Sequence, residues 1–418
     1  MDPSSIRLHH TASTPADSAA FVAVMASTFT VSLGYGVVLP IVPFIMDRLM
    51  PVTERGIASW HTGALAGIYM LFIFLFAPLW GRVSDRIGRR PVILLGLIGY
   101  AATLVLFAFS NSMSFAYGAR ALAGAFVSAV APVASAFVSE TTSEAKRARR
   151  LAWLGASSLA GFLTGPAMSG GFAQLGKVLD ATGAWYGGAI ALPLFATATL
   201  GLIVAIAIYL RLPRSAPPAL LAKHSAQRNV AATRHSLGIV LALNLLVTFG
   251  LGSFEVGITL QMSQSAGFEP SRLATMFAEC SLVMIAVQIL VFSPAVKALS
   301  GRRLIIPAFL AMALGLALIP GGTSFYMMIV SVGLIAASAG LIMPALTHMV
   351  SLQTVLPLGV ALGAQTSLSS IGQGLGSAAA GALYGVLAER LFWVSAVFMA
   401  LGAGLSFAMP RSSTLPAA

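Results

Sequence analysis

Ionisable side chains inside long apolar runs are the first candidates for chemistry in this chain. Of its 12 Asp and Glu residues, only Glu255 and Glu279 lie well inside such runs. An ionisable group among apolar residues is costly, and burial favours the protonated form of a carboxylic acid. We therefore predict that Glu255 or Glu279 takes up and releases a proton. The alternative is a carboxylate that only pairs with a serine or an amide.

The elements that carry these residues are membrane helices. The chain has 418 residues, of which 58% are hydrophobic and 9% are charged, whereas soluble domains carry about 25% charged residues. A helix needs roughly 20 apolar residues to cross a bilayer, and twelve such segments fit the sequence. We predict an all-α membrane protein with twelve transmembrane helices, at residues 19–46, 61–80, 91–110, 113–138, 150–174, 187–210, 237–262, 271–292, 303–320, 323–349, 357–386 and 390–409.

The basic residues set the predicted orientation. The net charge of +12 would suggest a nucleic-acid partner in a soluble protein, but these charges lie between the apolar runs. With both termini in the cytoplasm, 18 of the 24 Lys and Arg residues fall on the cytoplasmic side and 5 on the other, as the positive-inside rule requires. We predict a multi-pass protein of a bacterial cytoplasmic (inner) membrane, with the lipid bilayer and not nucleic acid as its partner.

The chain repeats internally. Gly161, Gly165 and Gly170 in the fifth span recur 211 positions later, in the eleventh. Two parallel repeats imply two pseudo-symmetric six-helix bundles with a cleft between them, which suits alternating access. The predicted domains are a cytoplasmic N-tail at 1–18, bundles at 19–210 and 237–409, a cytoplasmic linker at 211–236 and a C-tail at 410–418.

A basic segment follows the second span. It reads Gly-Arg-Val-Ser-Asp-Arg-Ile-Gly-Arg-Arg-Pro and contains Gly81, Asp85, Arg86, Gly88, Arg89 and Arg90. We predict a loop in which Gly81 and Gly88 permit tight turns. Asp85 would accept hydrogen bonds from nearby arginines and dock on the positive end of another helix. The alternative is a solvated loop that only sets orientation.

This spacing resembles the signature loop of the major facilitator superfamily of transporters. The resemblance implies a latch at Asp85 that holds the cytoplasmic face shut. Because the loop between the tenth and eleventh spans has no Lys or Arg, we expect the latch partner to be the amino end of the eleventh helix, near Pro357.

The fifth span adds a second motif. Gly161 and Gly165 lie one turn apart and allow close helix contact, and Pro166 bends the helix. With Gly170, the pattern resembles the antiporter motif of proton-driven drug exporters, except that Ser169 replaces a glycine. The alternative is a generic packing face of small residues.

Two further patterns resemble the twelve-helix drug–proton antiporter subfamily, which includes tetracycline and multidrug exporters. Gly34, Pro40 and Pro43 resemble its first-helix motif, which would bend around a cavity. Arg120 stands in a pattern like the superfamily's third motif, whose arginine is linked with proton transfer, although it could instead pair with backbone carbonyls of the first helix. The resemblance also favours Glu255 over Glu279, because the seventh helix lines the central cavity.

The resemblance implies a proton-coupled exporter of small lipophilic compounds, cationic or zwitterionic. The alternative function is an importer or facilitator of a sugar, an organic acid or a siderophore. Tetracycline exporters carry acids in their first, third and ninth spans, which this chain lacks, so the substrate stays open. The residues that we predict to line the substrate cavity are Tyr35, Asn244, Phe254, Gln261 and Gln365, although polar groups in spans more often bond other helices.

No hydrolase, phosphate-binding or metal motif stands out. We therefore predict a protein that is not an enzyme and needs no cofactor or metal beyond the proton gradient. Its expected partners are protons and a small-molecule substrate, and we expect it to act as a monomer.

Overall fold

A computed structural model describes residues 15–50, 58–142, 144–181, 188–213, 230–264, 270–291, 302–321, 324–353 and 358–409. These residues form thirteen α-helices and no strand. The helices are α1 Pro15–Leu49, α2 Ala58–Ile87, α3 Arg89–Ala108, α4 Met113–Val127, α5 Ala131–Thr141, α6 Glu144–Ala181, α7 Gly188–Arg211, α8 Val230–Gln264, α9 Pro270–Val291, α10 Arg302–Leu318, α11 Phe325–Gln353, α12 Leu358–Leu387 and α13 Leu391–Ser406.

The helices are built to cross a membrane. Among the described residues, eight segments are long and apolar enough to span one, from Ser18–Val42 to Ala364–Ser406, and two shorter apolar helices accompany them. Large apolar side chains also lie on the outer surface, such as Ile203, Ile206 and Leu210 of α7, which are 57%, 60% and 70% exposed. The protein is therefore an all-α, multi-pass membrane protein.

The fourth span is interrupted, although the sequence predicts one helix at 113–138. The helix α4 ends at Val127, and α5 begins at Ala131. Pro132 has no backbone N–H and cannot continue the ladder of α4, so the chain makes tight turns in which the N–H of Val130 bonds the carbonyl of Val127 at 2.9 Å. Because α4 and α5 together make one span, thirteen helices make twelve passes.

The predicted loop after the second span is mostly helical. The helix α2 continues to Ile87, and only Gly88 separates it from α3. The prediction of a turn at Gly81 is therefore wrong, because Arg and Asp residues at the polar membrane surface extend the helix. Gly88 does require glycine, since its φ of 94° lies in the left-handed region.

The two halves repeat their helix packing. Gly161 of α6 lies against the carbonyl of Phe29 in α1, and Gly372 of α12 lies against the carbonyl of Leu245 in α8. Leu245 follows Phe29 by 216 positions, and Gly372 follows Gly161 by 211. The same contact thus occurs in both halves, which are two pseudo-symmetric six-helix bundles.

The halves also pack against each other, mainly at one end. A Cβ on Gly63 of α2 would lie 2.6 Å from the carbonyl of Ser377 in α12, and one on Gly381 would lie 2.6 Å from Cα of Gly63. We call this end the Gly63 end, and we call the other end, where α2 meets α3, the Asp85 face. Close backbone contact between the halves closes the Gly63 end.

Candidate transport site

A cavity of about 290 Å³ lies between the two halves, on the Asp85 side of their close packing. Its wall is mostly apolar, with aromatic and methionine side chains and a few hydroxyl groups. The larger apolar residues are Tyr35, Tyr69, Met70, Phe162, Phe254, Phe277, Met284 and Met343. Methionine side chains adapt to varied shapes, so the wall of the cavity can adjust its shape.

Glu255 is the acidic residue of the described cavity wall. It lies on α8, is 7% exposed, and accepts two hydrogen bonds at Oε2. The hydroxyl of Tyr35 donates at 2.7 Å from α1, and Nε2 of Gln373 donates at 2.9 Å from α12. Hydrogen bonds to an ionised acceptor are among the strong ones, and the carboxylate of Glu255 accepts one from each half of the protein.

Four aromatic rings close the cavity towards the Gly63 end, and we call them the aromatic layer. Tyr69 stacks on Tyr35 with ring centroids 5.5 Å apart. Tyr35 stacks on Phe162 at 5.8 Å, and Phe162 meets Phe277 edge-on at 6.1 Å. These four residues come from α2, α1, α6 and α9, so the layer runs across both halves.

Arg120 lies on the other side of this layer from the cavity. It is 3% exposed, and its guanidinium lies 4.1 Å from the ring centroid of Tyr69 and 5.8 Å from that of Phe107. Cation–π contacts of this kind stabilise a buried arginine. The ring of Tyr69 thus has Arg120 as one neighbour and the ring of Tyr35, which bonds Glu255, as another.

Glu279 faces a different neighbour. Its Oε1 would lie 3.2 Å from a Cβ on Gly333 of α11, and its Oε2 has no hydrogen-bond partner among the described residues. The next residue, Cys280, lines the cavity, whereas Glu279 is not among the described residues of the cavity wall. The structure therefore brings Glu255, but not Glu279, to the cavity.

The predicted cavity residues divide in the same way. Tyr35 and Phe254 line the cavity, whereas Asn244, Gln261 and Gln365 are absent from its described wall. Asn244 bonds Gln365 and Ser369 on α12, and Gln365 also bonds Thr347. Gln261 donates to Glu389 at 3.4 Å, far towards the Gly63 end. The expectation of a cavity position is wrong for these three, because helix–helix hydrogen bonds use their amides.

The first-helix motif lies in a continuous helix, and its glycine Gly34 allows that helix to pack closely against α3. The helix α1 runs unbroken from Pro15 to Leu49 and includes Pro40 and Pro43. Gly34 lies against the ring of Tyr100 on α3, where a Cβ would overlap the ring. Its small size therefore allows α1 and α3 to approach closely.

The antiporter motif packs α6 on α1. Gly161 and Gly165 each touch the backbone of α1, and Pro166 lies beside them, where a Cβ on Gly36 would be 3.3 Å from its ring. Gly170 has nothing within 4 Å of its Cβ position among the described residues. The close contact thus involves the first two glycines of the motif.

The gate motif forms a charged cluster at the Asp85 face. Arg89 is buried and pairs with Asp85 at 2.7 Å and with Glu140 of α5 at 2.5 Å, and it also donates to Ser84. The side chain of Asp85 is 60% exposed. Its docking on the eleventh span stays a prediction, because Pro357 lies outside the described residues.

The other two arginines of the gate motif lie at the surface. Arg90 packs over the ring of Tyr209 at 4.6 Å and donates to its carbonyl, while Arg86 is exposed.

The residues that sequence reasoning missed are Glu140, Gln373 as the partner of Glu255, and Tyr69. One sequence feature could have indicated a role for Glu140: it is one of only 12 acidic residues in the chain, and it lies at the end of the fourth span.

Comparison with known proteins agrees with this architecture. The sequence profile of the Major Facilitator Superfamily matches residues 24–291, and the chain belongs to that superfamily. Multidrug resistance protein 2 of Bacillus subtilis (strain 168) is 25% identical over 395 residues, which cover 92% of this chain and 94% of that protein. Tetracycline resistance protein, class C, of Escherichia coli is 28% identical over 371 residues, 84% of this chain and 87% of that protein.

A solved structure shares the fold. The crystal structure of the human organic anion transporter MFSD10 (TETRAN) matches with a TM-score of 0.71 at 19% sequence identity, covering 94% of this chain and 100% of that one.

Proposed function

We propose that the protein is a proton-coupled exporter of small lipophilic compounds that are cationic or zwitterionic. Relatives that carry the names of multidrug and tetracycline resistance proteins support an exporter. The observation that carries the proposal is Glu255, a buried carboxylate on the wall of an apolar cavity, held by one residue from each half.

In the proposed mechanism, substrate and proton compete for Glu255. A cationic substrate in the cavity stabilises the ionised carboxylate, and a proton that reaches Glu255 removes its charge and releases the substrate. Tyr35 and Gln373 supply two donors to the carboxylate when no cation is bound. Aromatic faces and methionines of the wall contact the apolar part of the substrate.

The proposed cycle rocks the two bundles about the cavity. The Asp85 face is cytoplasmic in this proposal, both termini lie in the cytoplasm, and the membrane is the bacterial inner membrane. Residues 19–210 and 237–409 form the moving units, and 211–236 links them. The protein acts as a monomer, catalyses no chemical reaction and draws its energy from the proton gradient.

The gate and the antiporter motif have separate roles in this cycle. Asp85 and Arg89 hold the cytoplasmic face when it closes, whereas Gly161 and Gly165 keep α6 close to α1. Arg120 lies beyond the aromatic layer, on the path by which a proton reaches Glu255 from outside.

The test uses purified protein in proteoliposomes that contain a pH-sensitive dye. Lipophilic cations are screened for substrate-driven proton flux, and Glu255→Gln should abolish that flux while the protein remains folded. Glu389→Gln is the matched control, because Glu389 is exposed near the Gly63 end, and it should transport normally. Unchanged flux in Glu255→Gln excludes Glu255, and loss of flux only in Glu279→Gln assigns the proton to Glu279.

The proton gradient itself is the second variable. Export should stop when the gradient is collapsed and reverse when the gradient is inverted. Transport at the same speed under all three conditions would refute proton coupling, and proton-driven accumulation into the cytoplasmic compartment would favour the importer.

A further inference from the structure

A second, much smaller void lies beyond the aromatic layer, on its Gly63 side. Its volume is about 10 Å³, which is close to what one water molecule requires. Both halves contribute to its wall, because α1, α2 and α4 meet α8 there. The lining residues are Val38, Leu39, Val42, Thr62, Ala66, Arg120, Val256 and Thr259.

Arg120 supplies donors to this void. Its side chain is 3% exposed, and its Nε and Nη1 have no hydrogen-bond partner among the described residues. Both atoms carry N–H groups that cannot lose their protons at ordinary pH. A buried donor without a partner destabilises the protein, and more so when it is charged. A hydrogen-bond acceptor in the void would therefore stabilise Arg120.

Two threonines supply acceptors to the same void. The hydroxyl of Thr62 donates to the carbonyl of Ala58 at 2.9 Å, and that of Thr259 donates to the carbonyl of Glu255 at 2.7 Å. Each hydroxyl hydrogen is thus used within its own helix, whereas the hydroxyl oxygen can still accept a hydrogen bond. Both threonines are buried, at 6% and 2% exposure.

We propose that this void binds one water molecule, which accepts from Arg120 and donates to Thr62 and Thr259. Water matches the wall because it accepts and donates at once. A halide would accept from Arg120 but could not donate to the two hydroxyl oxygens, and a metal cation would be repelled by the guanidinium. Since Thr62 and Arg120 belong to one half and Thr259 to the other, the water fastens the halves together at the Gly63 end.

The test is a double-mutant cycle across the halves. Ser59→Cys in a Cys280→Ser background reports opening of the Gly63 end, because Ser59 is 4% exposed and its carbonyl lies against Gly381. Thr62→Val and Thr259→Val are added singly and together, and labelling by a membrane-impermeant maleimide is timed. Each single change should speed labelling about five-fold, the effect of about one lost hydrogen bond.

The double variant decides the question. If both threonines hold one water, either change releases it, so the double variant should label within about two-fold of the single variants. Multiplication of the two effects overturns the proposal, as does an unchanged rate in the singles. Thr197→Val is the matched control, because Thr197 is fully buried and makes the same helical bond, to Pro193, away from the void.

A direct measurement keeps the proposal testable if the variants fold poorly. A high-resolution structure of the full-length protein in nanodiscs should contain one water peak within hydrogen-bond distance of Arg120, Thr62 and Thr259. Absence of a peak at a resolution that reveals other buried waters overturns the proposal. Anomalous X-ray scattering at the same position, from crystals of the protein grown in bromide buffer, would instead assign a halide.

Discussion

The hydroxyl of Tyr35 donates a 2.7 Å hydrogen bond to Oε2 of Glu255, and this bond joins the two halves at the wall of the cavity. Gln373 donates to the same oxygen at 2.9 Å but belongs to the same half as Glu255. If the halves separate at this point, we expect the bond from Tyr35 to break and the bond from Gln373 to remain. We therefore propose that the bond from Tyr35 links the charge of Glu255 to closure of the Gly63 end.

Tyr35→Phe removes this bond and keeps the ring in the aromatic layer. A hydrogen bond to a charged group contributes about 1.5–3 kcal/mol, so we expect the closed Gly63 end to lose at least about ten-fold in population. Spin-label distances across that end measure the population. Tyr100→Phe is the control, since the hydroxyl of Tyr100 is buried without a hydrogen-bond partner among the described residues. Equal effects of the two changes would contradict the proposed link.

The charged cluster at the Asp85 face allows the contribution of Glu140 to stability and the proposed gating role of Asp85 to be tested separately. Arg89 is buried and pairs with Glu140, whereas Asp85 is 60% exposed. Glu140→Gln leaves much of a buried charge unpaired and should cost about 3 kcal/mol of folding free energy. Asp85→Asn should cost less than about 1 kcal/mol, because exposed pairs contribute little. Thermal unfolding in detergent measures both.

Asp85→Asn should act instead on the conformational equilibrium. If Asp85 latches the cytoplasmic face, its neutralisation weakens the state that is open at the Gly63 end. Cysteine accessibility on the two sides of the membrane gives the ratio of states. An unshifted ratio counts against the latch, and an Asp85→Asn variant as unstable as Glu140→Gln would count against the separation of roles.

The fold could be predicted from the sequence because it depends on local and periodic patterns of residues. Apolar runs locate the twelve spans, and the glycines at an offset of 211 positions locate the repeat. The structure adds that Phe162 and Gln373, which are also 211 positions apart, sit at equivalent backbone contacts, against Gly36 and Gly252. One half places an aromatic ring there and the other an amide, so of these two equivalent residues only Gln373 donates a hydrogen bond to Glu255.

The site was less predictable because it depends on distant pairing. Tyr35 and Glu255 are 220 positions apart, and Glu255 and Gln373 are 118 apart. No periodic pattern encodes such contacts. The same reason explains the wrong cavity positions of Asn244 and Gln365, since the composition of two spans does not reveal that an amide of one bonds an amide of the other.

Alanine substitutions at two glycines of the fifth span should differ in their effect on stability. A Cβ on Gly165 would lie 2.6 Å from the backbone of Gly36, whereas one on Gly170 would meet nothing within 4 Å among the described residues. Gly165→Ala should separate α1 from α6 at a cost of about 1–3 kcal/mol, and Gly170→Ala should be nearly neutral. Unfolding temperature and transport rate test both variants. Equal loss in the two would mean that the motif does more than pack α6 on α1.

Cys280 offers a native reporter of the cavity. It is the single cysteine of the chain, it is 3% exposed, and it lines the cavity between Phe277 and Met284. A substrate that fills the cavity should shield the thiol from a small membrane-permeant reagent such as methyl methanethiosulfonate. At a concentration ten times its dissociation constant, the substrate leaves about one site in eleven free, so labelling should slow about ten-fold.

The control for this shielding moves the thiol out of the cavity wall and into the first half of the protein. Ser110→Cys in a Cys280→Ser background puts a buried thiol beside Arg48, which donates to the carbonyl of Ser110 at 2.8 Å, outside the described cavity wall. Substrate should leave its labelling rate unchanged. Slowing at both positions would indicate a global conformational change, and slowing at neither would mean that transported compounds bind away from Cys280.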